Sequence, residues 1–171
     1  MSMTVKEKNI ILEEEQILQK IKRMAYQIFE RNVEEKHIIM VGVVQQGYHL
    51  AELLHAELKK IAPFKITLIK MSLDKVNPVN SEIRVDLQDR SIQGTPVILV
   101  DDVLNTGKTM AYCLKPFLQK DLKKLEIAVL VNRSHKQFPI SANYQGYELA
   151  TTINEHIEVV LEKKAKYAYL R

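Results

Sequence analysis

The chain has 171 residues, of which 46% are apolar and 27% charged, with five Gly, five Pro and one Cys. A chain of this size can bury a full apolar core, so we expect a single domain over residues 1–171. The composition excludes a disulfide scaffold, a collagen-like chain and a membrane span, which needs about 20 consecutive apolar residues. The net charge of +4 favours an anionic partner, either a phosphate-rich ligand or nucleic acid.

The N-terminal residues indicate where the protein acts. Lys6, Glu7 and Lys8 are charged, and no apolar stretch typical of a secretory signal peptide accompanies them. The single unpaired thiol suits a compartment that keeps thiols reduced. We therefore expect a cytoplasmic protein.

Hydrophobic periodicity predicts alternating helices and strands in the first half of the chain. Apolar residues spaced three and four apart predict a helix over residues 12–32. The continuous β-branched run His37–Val44 predicts a strand buried on both faces, and a helix follows as far as Lys60. Lys65–Leu73 predicts a second strand. The polar stretch 74–89 is either a short solvent-facing strand or part of a mobile loop.

The second half of the chain continues this alternation. The predicted elements are a strand at Val97–Val100, a loop at Asp101–Thr106, a helix from Gly107 or Lys108 to Lys120, a strand at Leu125–Val131, an irregular segment over 132–146, and strands at Ile157–Leu161 and Tyr167–Leu170. Alternating strands and helices predict an α/β fold, a central parallel sheet with helices on both faces. Such sheets bind ligands beyond the carboxyl ends of their strands, here at Val44–Gly47, Asp101–Thr109 and Asn132–His135.

The segment VILVDDVLNTGKT, residues 97–109, carries the strongest chemical signal. A helix that begins near Lys108 offers unpaired N–H groups and a partial positive charge to a phosphate. Gly107 permits close approach of the backbone to a ligand, while the neighbouring Thr and Lys side chains add hydroxyls and a cation. The adjacent acids Asp101 and Asp102 suit sugar hydroxyls or a bound Mg²⁺. Together these groups predict a site for a ribose 5-phosphate.

Two alternative interpretations explain less of this segment. Gly-Lys-Thr also ends the Walker A nucleotide loop, but that motif needs a Gly where Asp102 stands. An ordinary helix cap needs one Asp or Asn, whereas six polar residues fall within the nine positions 101–109. The density of polar groups therefore favours a ligand site.

The same residues closely resemble the phosphoribosyl-pyrophosphate (PRPP) motif of type I phosphoribosyltransferases. The resemblance implies that family's fold, a central parallel sheet flanked by helices with a small hood region. It also implies transfer of ribose 5-phosphate from PRPP, bound with Mg²⁺, to a nucleobase, with release of pyrophosphate. By resemblance, Asp101 and Asp102 are the catalytic acids that hold the ribose hydroxyls. The residues that bind the 5′-phosphate are then Asn105, Thr106, Gly107, Lys108 and Thr109.

Two further segments resemble the PyrR subgroup, which combines uracil phosphoribosyltransferase activity with mRNA binding at pyrimidine operons. They are Val129–Tyr147, after the fourth core strand, and Leu12–Asn32, which ends in Glu-Arg-Asn. The resemblance implies a pyrimidine substrate, an RNA partner and a homodimer or higher homo-oligomer. His135 follows the carboxyl end of a predicted strand beside Arg133, so these two residues are candidates to contact the base or the phosphate.

The turn after the first core strand departs from the subgroup. That turn normally carries a basic residue that contacts pyrophosphate, whereas Gln45, Gln46 and Gly47 are uncharged. Lys75 and Arg84, further along the chain, are the candidate substitutes. The uncharged turn leaves open a second hypothesis, a catalytically weak PRPP or nucleotide sensor that binds RNA.

Other positions carry weaker signals. Asn132 stands where the subgroup has an aspartate, and Lys22 and Tyr26 replace a threonine and a histidine associated with RNA binding. Cys113 follows the phosphate-binding segment on a predicted helix, and we interpret it as a buried core thiol. The histidines lack metal-ligand spacing, so no residue is assigned directly to a metal.

Overall fold

The computed structural model describes residues 9–150, 152 and 154–171, so Lys6, Glu7 and Lys8 lie outside the described residues. Its elements, in chain order, are β1 (Asn9–Leu12), α1 (Glu14–Asn32), β2 (His37–Val43), α2 (Gln46–Ile61), β3 (Lys65–Ser72), β4 (Arg84–Val85), β5 (Pro96–Leu104), α3 (Lys108–Leu118), β6 (Lys124–Arg133), β7 (Tyr144–Leu149), β8 (Ile157–Leu161) and β9 (Lys166–Leu170). Within the described ranges, no helix has the length and apolar character needed to cross a membrane.

Six strands form one sheet in the order β4-β3-β2-β5-β6-β7. All neighbours pair in parallel except β3 and β4, which are antiparallel. Strand β2 lies at the centre and is buried over Ile38–Val43, because helices cover both faces of the sheet. The predicted α/β architecture is confirmed.

The central sheet separates two apolar cores, and alternate residues of each strand enter them. In β2, Ile38 and Met40 pack with α1 and α2, whereas Ile39 and Val41 pack with α3. This alternation arises because successive side chains of a strand point to opposite faces. Cys113 of α3 is buried in the second core, which confirms its interpretation as a core thiol.

The remaining strands form a separate antiparallel sheet in the order β1-β9-β8. The sequence predicts β8 and β9 as strands but assigns no strand to β1, because four residues are too few to show a periodicity. Helix α1 consequently begins at Glu14 and not at residue 12. Its start is capped by the Gln16 side chain, whose Oε1 accepts a hydrogen bond from the Glu13 backbone N–H over 2.9 Å. This small sheet corresponds to the hood region that the resemblance implies.

The predicted ends of β5 and β6 are wrong, and both errors lie at the carboxyl edge of the sheet. Strand β5 continues to Leu104, so Asp101 and Asp102 belong to a strand and not to a loop. Strand β6 continues to Arg133, and the segment predicted as irregular contains β7. Asp101 pairs with Val129 across the ladder. The backbone hydrogen bonds of the sheet therefore continue through residues with polar side chains. A search for hydrophobic periodicity ends the strand at those residues.

Candidate active site

A pocket of about 190 Å³ lies at the carboxyl end of β5. Its lining consists of Lys75, Asp101, Asp102, Val103, Leu104, Asn105, Thr106, Gly107, Lys108, Thr109, Met110 and Ile157. All seven residues predicted to hold PRPP therefore share one pocket. The other predicted site residues, which are Gln45, Gln46, Gly47, Arg133 and His135, lie outside this lining.

Asp101 is almost fully buried beside the pocket, with 4% of its surface exposed. Its Oδ1 accepts hydrogen bonds from the Asp102 backbone N–H over 2.9 Å and from the Lys75 ammonium over 2.8 Å. The Lys75 Nζ also lies 3.6 Å from Asp102 Oδ1. Burial and the neighbouring Asp102 carboxylate raise the pKa of Asp101 to about 8, against the opposing effect of Lys75. Negative charge on this acid pair therefore depends on a nearby cation or on hydroxyl donors.

The structure separates the two candidate cations. The Lys75 side chain is 37% exposed and lines the pocket. Burial disfavours its charge, but Asp101 and Asp102 outweigh burial and raise the pKa of Lys75. Arg84 instead pairs with Glu82 over 2.9 Å, and both of those side chains are 74% exposed. Lys75 is thus the candidate that reaches the acid pair.

The phosphate loop, residues 105–109, is held in place by the segment after β6. The Thr106 carbonyl accepts two backbone N–H hydrogen bonds from that segment, 2.8 and 2.9 Å long. Gly107 has a φ of +86°, and a Cβ on it would lie 3.2 Å from the Phe138 carbonyl oxygen. Helix α3 begins at Lys108, which places a helix N-terminus at the loop in the arrangement that binds phosphate.

Arg133 is buried, with 5% of its surface exposed. Its guanidinium donates to Asn105 Oδ1 over 3.1 Å and to the Thr152 carbonyl oxygen. The planar fork of an Arg side chain suits such a link between two separate segments. His135 is half-buried, and its backbone N–H donates to the Arg133 carbonyl over 2.9 Å. A contact of either residue with a base or phosphate stays a prediction.

Lys136 is a site neighbour that the sequence reasoning does not single out. Its Nζ donates to Asn132 Oδ1 and to the Arg133 carbonyl, both over 2.6 Å, and to the Asn105 carbonyl over 3.2 Å. Burial lowers the pKa of Lys136, while Glu148 acts in the opposite direction. The sequence signal that could have identified Lys136 is its position shortly after the carboxyl end of a buried strand, where ligand-binding residues are common.

The turn after β2 contacts the acid pair through a glycine. A Cβ on Gly47 would lie 2.7 Å from Asp101 Oδ1, so the start of α2 packs directly against this acid. Gln46 Oε1 accepts a hydrogen bond from the Leu161 N–H over 2.9 Å, which holds this side chain against the small sheet. Gln45 is exposed. The turn therefore approaches the site without a cation of its own.

The acid pair also fits a divalent cation that arrives with a phosphate ligand. Mg²⁺ is commonly bound by one or two carboxylates together with substrate phosphates and water. Asp101 and Asp102 supply that number of carboxylates. Within the described ranges, no group of three or more His, Cys, Asp or Glu residues forms a metal site.

Comparison with known proteins agrees with this geometry. The family model of the phosphoribosyl transferase domain matches residues 8–164. A bifunctional protein PyrR from Haemophilus ducreyi is 33% identical over 163 residues, covering 90% of this chain and 89% of the relative. Another from Fusobacterium nucleatum is 34% identical over 170 residues, covering 94% of each.

Solved structures show the same fold at lower sequence identity. A hypoxanthine-guanine phosphoribosyltransferase from Bacillus anthracis is 23% identical with a TM-score of 0.74, covering 96% of this chain and 98% of that one. A hypoxanthine phosphoribosyltransferase from Trypanosoma cruzi is 18% identical with a TM-score of 0.80, covering 100% and 93%. The expected fold and enzyme class are confirmed, and the chain belongs to the phosphoribosyl transferase family.

Proposed function

We propose that this protein transfers ribose 5-phosphate from PRPP to a pyrimidine, uracil first, and releases pyrophosphate. The observation that carries the proposal is that the acid pair and the phosphate loop line one pocket. This arrangement suits a ligand that presents hydroxyls and a phosphate together, as a ribose 5-phosphate does. The choice of uracil is supported by the resemblance to PyrR proteins.

Asp101 and Asp102 hold the ribose hydroxyls in this proposal, and the phosphate loop holds the 5′-phosphate. A base nitrogen then attacks the anomeric carbon, so a nitrogen–carbon bond forms while the bond to the pyrophosphate oxygen breaks and the nitrogen loses its proton to solvent. The residues of the chain contribute positioning and electrostatic stabilisation, without a covalent intermediate. When bound with PRPP at the acid pair, Mg²⁺ supplies positive charge that the departing pyrophosphate needs.

The surroundings of the pocket take supporting roles. We propose that Arg133 positions Asn105 through their hydrogen bond, and that His135 borders the base or the phosphate. The stretch 74–89 closes over the bound substrate and excludes water from the reacting atoms.

Pyrophosphate release from PRPP–Mg²⁺ against a panel of nucleobases tests the proposal. We expect Asp102→Asn and Lys108→Ala each to lower the rate by about 100-fold or more, the usual effect of losing one preorganised contact. Lys115→Ala is the matched control, because Lys115 is exposed on α3 and lies outside the pocket lining. If neither site variant weakens PRPP binding, the site assignment is wrong.

An RNA-binding role is the second candidate function. It is supported by the uncharged turn at Gln45 and Gln46, by the resemblance of α1 to the PyrR subgroup and by the net charge of +4. Lys22 and Tyr26, both exposed on α1, are the residues that replace the threonine and histidine associated with RNA binding in that subgroup. RNA affinity that falls steeply with salt, without turnover of any base, supports a sensor over an enzyme. Turnover of uracil at ordinary enzymatic rates contradicts a purely regulatory role.

The same resemblance supports a proposed homo-oligomer and a cytoplasmic location. Light scattering on the purified protein tests the first. Fractionation of the source cells tests the cytoplasmic location. The free thiol of Cys113 fits that location, because the cytoplasm keeps thiols reduced.

A further inference from the structure

The turn that would face pyrophosphate carries no cation, whereas a lysine from a different segment lies on the acid pair. We propose that Lys75 is the pyrophosphate-binding cation of this enzyme, and that the acid pair holds it in place when no substrate is bound. Substrate then takes over the carboxylates, and the Lys75 ammonium passes to the pyrophosphate group. This role of Lys75 rests on the proposed function and deepens it.

The position of Lys75 supports this role. Strand β3 runs beside β2 in register as far as Val43 and Met71, and the Val44 N–H donates to the Met71 carbonyl over 2.8 Å. The stretch that carries Lys75 therefore leaves the sheet next to the uncharged turn. The side chain reaches from there to Asp101, so the ammonium is held on the acid pair by a residue that leaves the sheet beside the turn.

The backbone around Lys75 is held while its side chain stays partly exposed. Asp74 donates its N–H to Ser81 Oγ over 2.7 Å, and its Oδ1 accepts the N–H groups of Val76 and Asn77 over 2.9 and 3.3 Å. A Lys side chain has four flexible carbons and carries a compact charge with three donors. The turn around Lys75 therefore keeps its local shape when the stretch 74–89 closes, and the ammonium changes partners by rotation of its own side chain.

Other cations near this edge of the sheet have different partners. Arg84 pairs with Glu82, and Lys136 is held by Asn132 and two carbonyl groups. The Lys70 ammonium lies 4.6 Å from the centre of the Tyr48 ring. Among the lysines and arginines of the described ranges, Lys75 alone forms an ion pair with the acid pair.

The exchange follows from the cost of a partly buried charge without a partner. Once ribose hydroxyls donate to the carboxylates, the ammonium shares the groups that stabilise it with the bound substrate. A pyrophosphate supplies several charged oxygens, and charge-assisted hydrogen bonds to such oxygens are stronger than neutral ones. Loss of Lys75 therefore has opposite effects on two kinds of ligand. It weakens ligands that contain pyrophosphate, and it relieves competition for ligands that use only the acid pair and the phosphate loop.

Binding measurements on three ligands test this role. Calorimetry of PRPP–Mg²⁺, inorganic pyrophosphate–Mg²⁺ and uridine 5′-monophosphate is done for the wild-type protein, Lys75→Ala and Lys75→Arg, with Arg84→Ala as the matched control from the same stretch. For Lys75→Ala we expect the Kd of both pyrophosphate ligands to rise by about tenfold or more, the contribution of one charged hydrogen bond. The Kd of the monophosphate stays equal or falls. Lys75→Arg retains most of the pyrophosphate affinity, and Arg84→Ala matches the wild type.

A rescue experiment restores a cation to the uncharged turn. Gln45 is exposed, whereas Gln46 is bonded to Leu161, so Gln45→Lys is the suitable change in a Lys75→Ala background. We expect the double variant to recover pyrophosphate affinity without a change in monophosphate affinity.

Three results overturn the role of Lys75. If Lys75→Ala loses affinity equally for all three ligands, Lys75 is merely structural. If Lys75→Ala binds the pyrophosphate ligands as tightly as the wild type or more tightly, Lys75 only competes with ligands for the acid pair. A double variant as weak as Lys75→Ala also contradicts it. Wild-type protein that neither binds PRPP nor releases pyrophosphate overturns the proposed function itself. An active wild type with an unaffected Lys75→Ala overturns the role of Lys75 alone.

Discussion

The two sides of the pocket differ in how they are held. On the phosphate side, residues 105–109 are tied to the segment after β6 by backbone hydrogen bonds and by the side chains of Arg133 and Lys136. On the pyrophosphate side of the proposed site, an uncharged turn packs against Asp101 at Gly47, and the available cation comes from the stretch 74–89. The phosphate side is therefore held by contacts within the protein, while in the proposed mechanism the pyrophosphate side is completed when Lys75 changes partners.

This difference has a physical reason in the reaction. The 5′-phosphate stays attached to the ribose from substrate to product, so a rigid site binds both equally. Pyrophosphate must be stabilised as it departs and then released, and interactions that exist only during transfer accelerate the reaction. The reaction therefore favours rigid contacts to the 5′-phosphate and exchangeable contacts to the pyrophosphate.

The largest expected effect comes from breaking the contact between the turn and the acid. In Gly47→Ala, the new methyl group would lie 2.7 Å from Asp101 Oδ1 and 2.8 Å from the Val100 carbonyl oxygen, so the turn or the acid must move. We expect pyrophosphate release to fall by about 100-fold, as for other small displacements of reacting groups. The free energy of unfolding should also decrease, by about 1–3 kcal/mol.

Gly94→Ala is the control for that variant. Gly94 has a φ of +69° and open space around it, so its substitution costs roughly 1–2 kcal/mol of stability through backbone strain alone. Its activity should match the wild type. Equal activity of the two variants would show that the turn does not position Asp101.

A smaller effect is expected on the preformed side. Arg133→Lys keeps a positive charge but loses the fork that joins Asn105 to Thr152. We expect binding of PRPP and of uridine 5′-monophosphate to weaken together, by about tenfold, because one well-made charged hydrogen bond is lost. Pyrophosphate binding should not change, whereas Lys75→Ala is expected to weaken pyrophosphate binding and to spare the monophosphate.

Arg23→Lys is the matched control, because Arg23 also donates to backbone carbonyls, including that of Gly146 over 2.6 Å, but outside the pocket. A similar loss of ligand affinity in both variants would mean that Arg133 acts only through general stability. Calorimetry with the three ligands separates these outcomes.

The smallest expected effect is on the pH dependence of stability. Because the pKa of Asp101 is raised to about 8 in the folded protein, the folded state keeps a proton that the unfolded chain releases near pH 4. Stability from this group is therefore present at low pH and decreases as the pH rises toward 8. We measure the free energy of unfolding with denaturant between pH 5 and 8. Its decrease over this range should be smaller for Asp101→Asn than for the wild type, by about 1 kcal/mol or more.

Asp86→Asn serves as the exposed control for this measurement, and its pH dependence should follow the wild type. An unchanged slope in Asp101→Asn would contradict the raised pKa.

The two sides of the pocket also differ in how well they could be predicted. Residues 97–109 are contiguous, so residue types and their order suffice to indicate a phosphate site with two acids. Lys75 and Asp101 are 26 positions apart and meet only because β3 and β5 flank β2 in the sheet. Periodicity also predicts strand cores well and strand ends poorly, because the polar residues of a site interrupt the pattern but not the backbone ladder.

Residue types and their order were enough to predict the alternation of strands and helices and a phosphate-binding segment at residues 105–109, and they show directly that the turn at residues 45–47 is uncharged. These properties are local, since they depend on neighbouring residue types. The fold brings Lys75 and not Arg84 to the acids, buries Arg133 against Asn105, and joins Gln46 to Leu161. Those outcomes depend on strand order and on contacts between distant segments, which no local pattern encodes.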